Sequence, residues 1–109
     1  MIYNRAAHRY AKAILESCLK DKKELDLVFQ DMKNISVSFE NSKELKLFVD
    51  SKVVKDLIKL NALKAVFKNS SNKTKDLMEL LMNNKRIDLF DDVANSFITV
   101  SYTHLRAHE

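Results

Sequence analysis

The residues of this chain that could do nucleophilic chemistry are few and lie near its start. Ser17 or Cys18 could attack a substrate if His8 took up the proton, as in Ser–His and Cys–His pairs. Positions 8 and 17 are nine apart in a segment with helical periodicity, so they lie more than two turns from each other. Side chains at that separation do not share a hydrogen bond. We therefore expect no catalytic residues and a protein that is not an enzyme.

Metal and cofactor sites are equally poorly supported. His104 and His108 are four residues apart and could bind a metal on a helix, but the sequence offers no third ligand beside them. Cys18 is the only cysteine, and the chain contains no glycine with which to build a phosphate-binding loop. We expect no metal site and no cofactor.

The helix that carries these first residues, predicted over residues 5–19, has two apolar faces. One is expected to face the core of the domain itself and comprises Tyr3, Ala7, Tyr10, Ile14 and Cys18. The second contains small residues apart from one tyrosine and comprises Ala6, Tyr10, Ala13 and Ser17. Small side chains allow a neighbouring helix to approach closely, and Tyr10 would be the one large contact. The pattern leaves open whether that neighbour is a partner protein or another helix of the same bundle.

Composition predicts an all-α fold, a single six-helix bundle. The chain has 109 residues, of which 46% are hydrophobic and 31% charged, typical of one soluble globular domain. Neither glycine nor proline occurs, which favours helices joined by polar turns over β-hairpins. No apolar run reaches the roughly 20 residues that a membrane span needs. We expect the bundle to occupy residues 1–100 and residues 101–109 to be a disordered or non-native tail.

Capping residues and apolar spacing place the later helices. Asp21 and Ser42 are predicted N-caps of the second and third helices. The second helix has a regular inward stripe, Leu25, Val28, Met32, Ile35 and Phe39. The fourth, predicted over residues 53–67, is expected to turn its lysines outward and to bury Val54, Leu57, Ile58, Leu60, Leu63 and Val66. The fifth and sixth are predicted over residues 73–83 and 87–100.

A basic segment covers residues 52–75, which contain seven lysines and one acidic residue, Asp56. Nucleic-acid sites usually combine arginines with stacking aromatic side chains, and this segment has no arginine and only Phe67. A solvated lysine face is therefore the favoured interpretation, with an RNA or DNA surface as the alternative.

Three motifs, in order, resemble one known family. Residues 9–14, RYAKAI, are similar to the RYAKAL signature that opens the δ subunit of bacterial F-type ATP synthase, the equivalent of the mitochondrial oligomycin-sensitivity-conferring protein. Residues 43–49, KELKLFV, also fit, and residues 77–89 resemble the family's junction between its fifth and sixth helices. The resemblance covers residues 2–100. Lys85 stands where the family commonly has glycine, no proline follows the third helix, and the family's second, C-terminal region is absent from this chain.

The resemblance implies a mechanical role in ATP synthesis. In this family the N-terminal six-helix domain binds N-terminal segments of the α subunits, and the C-terminal region binds the b-subunit stalk. Together they hold the catalytic head still against the rotor. We accordingly expect a peripheral position on the cytoplasmic face of the bacterial inner membrane, contact with the membrane only through the complex, and no nucleic-acid partner.

The resemblance also implies which residues bind the α-subunit helix. The family seats that helix in a groove between its first and fifth helices. Carried onto this chain, the groove residues are Ala6, Tyr10, Ala13 and Ser17 on one side and Asp76, Leu80 and Asn84 on the other. The competing hypothesis is an all-helical RNA-binding protein of the transcription-antitermination factor B type, which would use Arg5, Arg9, Lys12 and the basic segment.

Overall fold

The computed structural model describes residues 4–107, and the side chains of residues 4–103. Within that range the chain forms a helical bundle, which confirms the all-α expectation. Its elements are α1 (Arg5–Cys18), α2 (Lys22–Asn41), α3 (Lys43–Asp50), α4 (Asp56–Val66), α5 (Asn72–Asn83), a short 3-10 helix (Ile87–Leu89) and α6 (Phe90–Ala107). Both α1 and α2 pack mainly against α6, and α4 packs against α5.

Short polar side chains cap the N-termini of four of these helices. Asn4 Oδ1 accepts a hydrogen bond from the Ala7 N–H at 3.0 Å and starts α1. Asp21 and Ser42 cap α2 and α3, as the sequence predicted. Ser71 caps α5, and this end is tied to α2 because Asp31 Oδ2 accepts bonds from the Ser71 N–H and the Thr74 hydroxyl, both at 2.8 Å.

The core is centred on Phe90, the first residue of α6, which is fully buried. Its ring meets Phe39 of α2 edge-on at 6.3 Å between centroids and Phe67, just after α4, at 5.9 Å. One aromatic cluster therefore joins α2, α4 and α6 and fixes the positions of the helices around it.

The buried face of α1 is rotated from the one predicted. Its buried residues are Ala7, Ala11, Leu15 and Cys18. Tyr10 and Ile14 are only half-buried, and Tyr3 lies outside the described residues. The reason is that α6 packs along the Ala11–Leu15 side, which the prediction left out in favour of the larger tyrosines. Because Tyr10 thereby moves to the edge of the core, its hydroxyl is available to other groups.

The predicted inward face of α4 is only partly correct. The helix buries Leu60 and Leu63, as expected, together with Lys59, whereas Leu57, Ile58 and Val66 are exposed. Lys59 lines a cavity of about 270 Å³ whose charged residues include Asp50, Asp56 and Asp88 as well as Lys52 and Lys85. The long aliphatic stem of a lysine can pack against apolar neighbours, which is compatible with the burial of Lys59. The two large aliphatic side chains at positions 57 and 58 are left on the outside.

The last helix continues beyond the predicted limit at residue 100. It runs to Ala107, seven residues past the predicted end. The prediction stopped where the apolar stripe stops, but Ser101 follows Phe97 by four positions and is itself buried. A polar residue thus occupies the next inward position, and the helix carries on. Residues 108 and 109 lie outside the described residues.

Candidate partner-binding groove

A cavity of about 400 Å³ lies between α1 and α5. The residues that line it are Ala6, Arg9, Tyr10, Ala13, Leu80 and Arg86. Ala13 is exposed and Leu80 keeps 44% of its surface exposed, so the apolar floor is open to solvent rather than sealed within the bundle. We refer to these six lining residues as the α1/α5 groove. An exposed apolar strip between two rigid helices is the type of surface on which a third helix docks.

The structure brings together only part of the set that the sequence analysis named. Ala6, Tyr10, Ala13 and Leu80 line the groove. Asn84 does not line it, but its Nδ2 donates a hydrogen bond to the Tyr10 hydroxyl oxygen at 2.8 Å. This bond holds the C-terminal end of α5 against α1 and orients the tyrosine ring.

The other two named residues lie beyond the groove. Ser17 is exposed, and its hydroxyl donates to the Ile14 carbonyl within α1 at 2.7 Å. Lys73 Nζ donates to the Ser17 carbonyl at 3.1 Å and pairs with Glu24 at 2.9 Å, bridging α5 to α1 and α2 at this end. Asp76 is exposed on α5 and is also absent from the lining.

Two arginines in the groove were not among the residues named for it, although Arg9 was named for the RNA-binding alternative. Arg9 lies one turn from Ala6 and Ala13 on α1, a spacing from which it could have been identified. Arg86 reaches the groove through the backbone geometry that ends α5. The Arg86 N–H donates to the Leu81 carbonyl at 2.7 Å and the Lys85 N–H to that of Met82 at 3.0 Å, a Schellman motif. Lys85 adopts the left-handed conformation at φ 59°.

The charge around the groove is positive. Arg9 and Arg86 are both exposed, and guanidinium groups bind carboxylates in a two-pronged geometry. The apolar floor of Ala6, Ala13 and Leu80 lies among these two cations and the polar tip of Tyr10. The surface therefore complements a segment that has small or aliphatic anchors on one side and acidic residues beside them.

A second cavity borders α1 on its other flank. It has a volume of about 510 Å³ and lies against the C-terminal half of α6, with Leu15, Leu19 and Val100 among its apolar lining residues. At about 100° per residue, the groove residues of α1 lie on one side of its buried stripe, and Lys12 and Leu19, which line the second cavity, lie on the other. The first helix thus has an open surface on each side of its core contact.

The nucleophiles considered from the sequence are poorly placed for reaction. Cys18 is fully buried, and burial raises the pKa of its thiol, which lowers the reactive thiolate fraction at neutral pH. Within the described part of the chain, no three His, Cys, Asp or Glu side chains cluster as metal ligands would. His108 lies outside the described residues, as does the side chain of His104.

None of the helices in the described range is both long and apolar enough to cross a membrane.

Comparison with known proteins identifies the class to which this helical domain belongs. The family model for the ATP synthase delta (OSCP) subunit matches residues 6–108. The chain belongs to this family, which confirms the resemblance seen in its motifs. No solved structure gives a significant match.

Relatives from several bacteria carry the same name. The chain is 43% identical over 94 residues to the ATP synthase subunit delta of Christiangramia forsetii, a match that covers 86% of this chain and 50% of the relative. It is 37% identical over 97 residues to that of Flavobacterium psychrophilum (89% and 54%) and 27% identical over 95 residues to that of Bacillus thuringiensis (87% and 52%). The chain thus spans about half the length of the curated relatives it matches.

Proposed function

We propose that this chain is a non-catalytic stator domain of an F-type ATP synthase. In this proposal the α1/α5 groove binds the N-terminal helix of an α subunit, and a further region of the longer family proteins binds the b-subunit stalk. The domain would hold the catalytic head at the cytoplasmic face of the bacterial inner membrane during ATP synthesis. The observation that carries the proposal is the open, apolar groove between α1 and α5 with arginines at its edge.

The energetics favour a helical occupant. Burial of apolar surface contributes about 25 cal/mol per Å², and Ala6 and Ala13 allow a helix backbone to approach α1 closely. Tyr10 is the expected hot spot, because large aromatic side chains near the centre of a groove dominate such interfaces. Arg9 and Arg86 would select segments with acidic residues and would speed encounter.

A calorimetric titration tests the proposal directly. A synthetic peptide of about 25 residues from the N-terminus of the α subunit is added to this domain. We expect saturable binding, and we expect Ala13→Asp to weaken it by more than about tenfold, since the substitution buries a carboxylate against the apolar floor. Ala13 is exposed in the free domain, so the variant should fold normally, as circular dichroism would show.

Val37→Asp is the matched control. It introduces the same carboxylate at another exposed apolar position, on α2 and away from the groove, and should leave the titration unchanged. An Ala13→Asp variant that binds the peptide as tightly as the unaltered domain would remove the groove assignment.

The RNA-binding alternative predicts a different response to salt. Phosphate contacts release counterions, so RNA affinity would fall by orders of magnitude between low and moderate salt. Binding in a mostly apolar groove should weaken only several-fold over the same range. A steep salt slope with RNA, together with no response to the α peptide, would favour the alternative.

A further inference from the structure

The outward face of α4 is apolar, which is unusual for the exposed side of a surface helix. Leu57 and Ile58 keep 58% and 53% of their surface exposed, and Val53, just before the helix, keeps 92%. Positions 57, 58, 61 and 65 fall within about 100° of arc on the helix, so Leu57, Ile58, Asn61 and Ala65 form one strip. All four are exposed. We refer to them, with Val53, as the α4 strip.

Unpaired lysines lie at both ends of the α4 strip. Lys52 and Lys55 precede the helix and Lys68 follows it, and all three are exposed. Among the described residues, no carboxylate lies within salt-bridge distance of these three side chains, whereas Lys64, on the flank of the same helix, pairs with Glu79 at 2.8 Å. Three of the seven lysines in residues 52–75 therefore lie beside the apolar surface without an ion pair, although Lys52 also borders the cavity that Asp50 and Asp56 line.

We propose that the α4 strip binds an acidic amphipathic helix of a partner protein. An α4 of 11 residues is about 16 Å long, which matches about three turns of a second helix. Aliphatic anchors at every third or fourth position of that helix would contact Leu57, Ile58 and Ala65. Its flanking glutamates or aspartates would meet the lysines at the two ends, so charge as well as apolar area determines the occupant.

A protein helix fits this surface better than a lipid bilayer does. Membrane-surface helices place Trp, Phe or Leu at the interface, and of these three the α4 strip contains only one leucine and no aromatic residue. The nearest aromatic, Phe67, is buried in the core against Phe90. The site is also distinct from the α1/α5 groove, with which it shares no lining residue, so the inference does not depend on the proposed function.

The test uses a designed probe and maps where it binds. The probe is a helical peptide of about 15 residues with leucines on one face and glutamates on both flanks, titrated into the isotope-labelled domain. We expect saturable chemical-shift changes centred on Leu57, Ile58 and Ala65. Leu57→Asp should reduce the affinity at least about tenfold, and Ala65→Asp, the same kind of change about two turns further along, should act in the same direction.

Charge reversal separates this proposal from simple hydrophobic contact. A probe with lysines in place of the glutamates should bind the domain about tenfold more weakly, and Lys52→Glu with Lys55→Glu should restore its binding. No saturable binding, shifts confined to Ala6 and Ala13, or indifference to both charge reversals would overturn the proposal. Stronger association of the domain with phosphatidylglycerol vesicles than with the probe would also overturn it, in favour of a membrane surface.

Discussion

Asn84 Nδ2 lies 2.8 Å from the Tyr10 hydroxyl oxygen and donates a hydrogen bond to it across the two helices that form the groove. Seventy-four residues separate the two in sequence, and the bond joins the middle of α1 to the C-cap of α5. The width of the groove at this point is thus fixed by a specific polar contact as well as by core packing.

Replacing Tyr10 tests the separate roles of its ring and its hydroxyl. Tyr10→Phe removes the acceptor for Asn84 but keeps the ring, so the free energy of unfolding should fall by no more than about 1 kcal/mol. Tyr10→Ala removes both, and α-peptide affinity should fall by about tenfold or more. Urea denaturation and calorimetric titration of the two variants measure these effects. Equal affinities for the Phe and Ala variants would show that the ring contributes nothing to the interface.

Asp31 should be one of the most important acids for stability. Its Oδ2 accepts from the Ser71 N–H and the Thr74 hydroxyl and so joins α2 to the beginning of α5. Asp31→Ala leaves both donors unsatisfied and removes a negative charge near a helix N-terminus, and we expect a loss of about 1–3 kcal/mol in urea denaturation. Asp26→Ala, at an exposed position of the same helix, is the control and should change stability by less than about 0.5 kcal/mol.

Lys85→Gly should stabilise the domain. Lys85 has φ 59°, a left-handed conformation in which the Cβ atom of a non-glycine residue lies too close to a backbone carbonyl oxygen. Glycine has no Cβ atom, so this substitution should raise the free energy of unfolding by about 0.5–1 kcal/mol. Asn83→Gly, two residues earlier at the end of α5, has the opposite expected sign, because glycine lowers stability within a helix. Thermal melts of both variants measure the contrast, and destabilisation by Lys85→Gly would contradict the strain at this position.

The pH dependence of stability should include a contribution from Asp92. Burial of this carboxyl group, aided by the neighbouring charge of Asp91, raises its pKa above the ordinary value of 3.8. The folded state therefore holds the proton more tightly than the unfolded state, and stability falls as pH rises from the ordinary pKa through the raised one. Asp92→Asn should raise the melting temperature at pH 7 and leave it nearly unchanged at pH 3.

Asp26→Asn, at an exposed position of α2, is the control for that measurement and should give the same small difference at both pH values. A gain for Asp92→Asn that is as large at pH 3 as at pH 7 would show that its cause is something other than loss of the charge.

The helices could be predicted where one amphipathic pattern dominates. In α2 the stripe of Val28, Met32, Ile35 and Phe39 is buried as expected, and Asp21 caps the helix. In α4 the aliphatic residues lie all around the circumference, so periodicity alone could not decide which side is buried. That choice depends on contacts with the rest of the bundle, such as Phe67 against Phe90 and Lys59 in a cavity lined by residues of both charges.

Only those groove residues that lie within a helix could be predicted from the sequence. Ala6, Ala13 and Leu80 follow simple helical spacing, and their positions could be read from the sequence. Arg86 lies beyond the end of α5, and its position depends on Lys85 adopting a conformation that lysine rarely adopts. The C-terminal part of α6 was not predicted from the sequence, because the polar residue Ser101 on its inward face interrupts the apolar stripe.

The division of α1 into two faces has a consequence for how the domain could change over generations. The interior side consists of Ala7, Ala11, Leu15 and Cys18, and the groove side includes Ala6, Ala13 and Arg9. If the groove binds a partner as proposed, a substitution on the groove side would alter which partner is bound without disturbing folding, so a lineage could change its binding specificity while keeping its fold. Tyr10 is the exception, since it belongs in part to both sides, and selection on either one acts on this single residue.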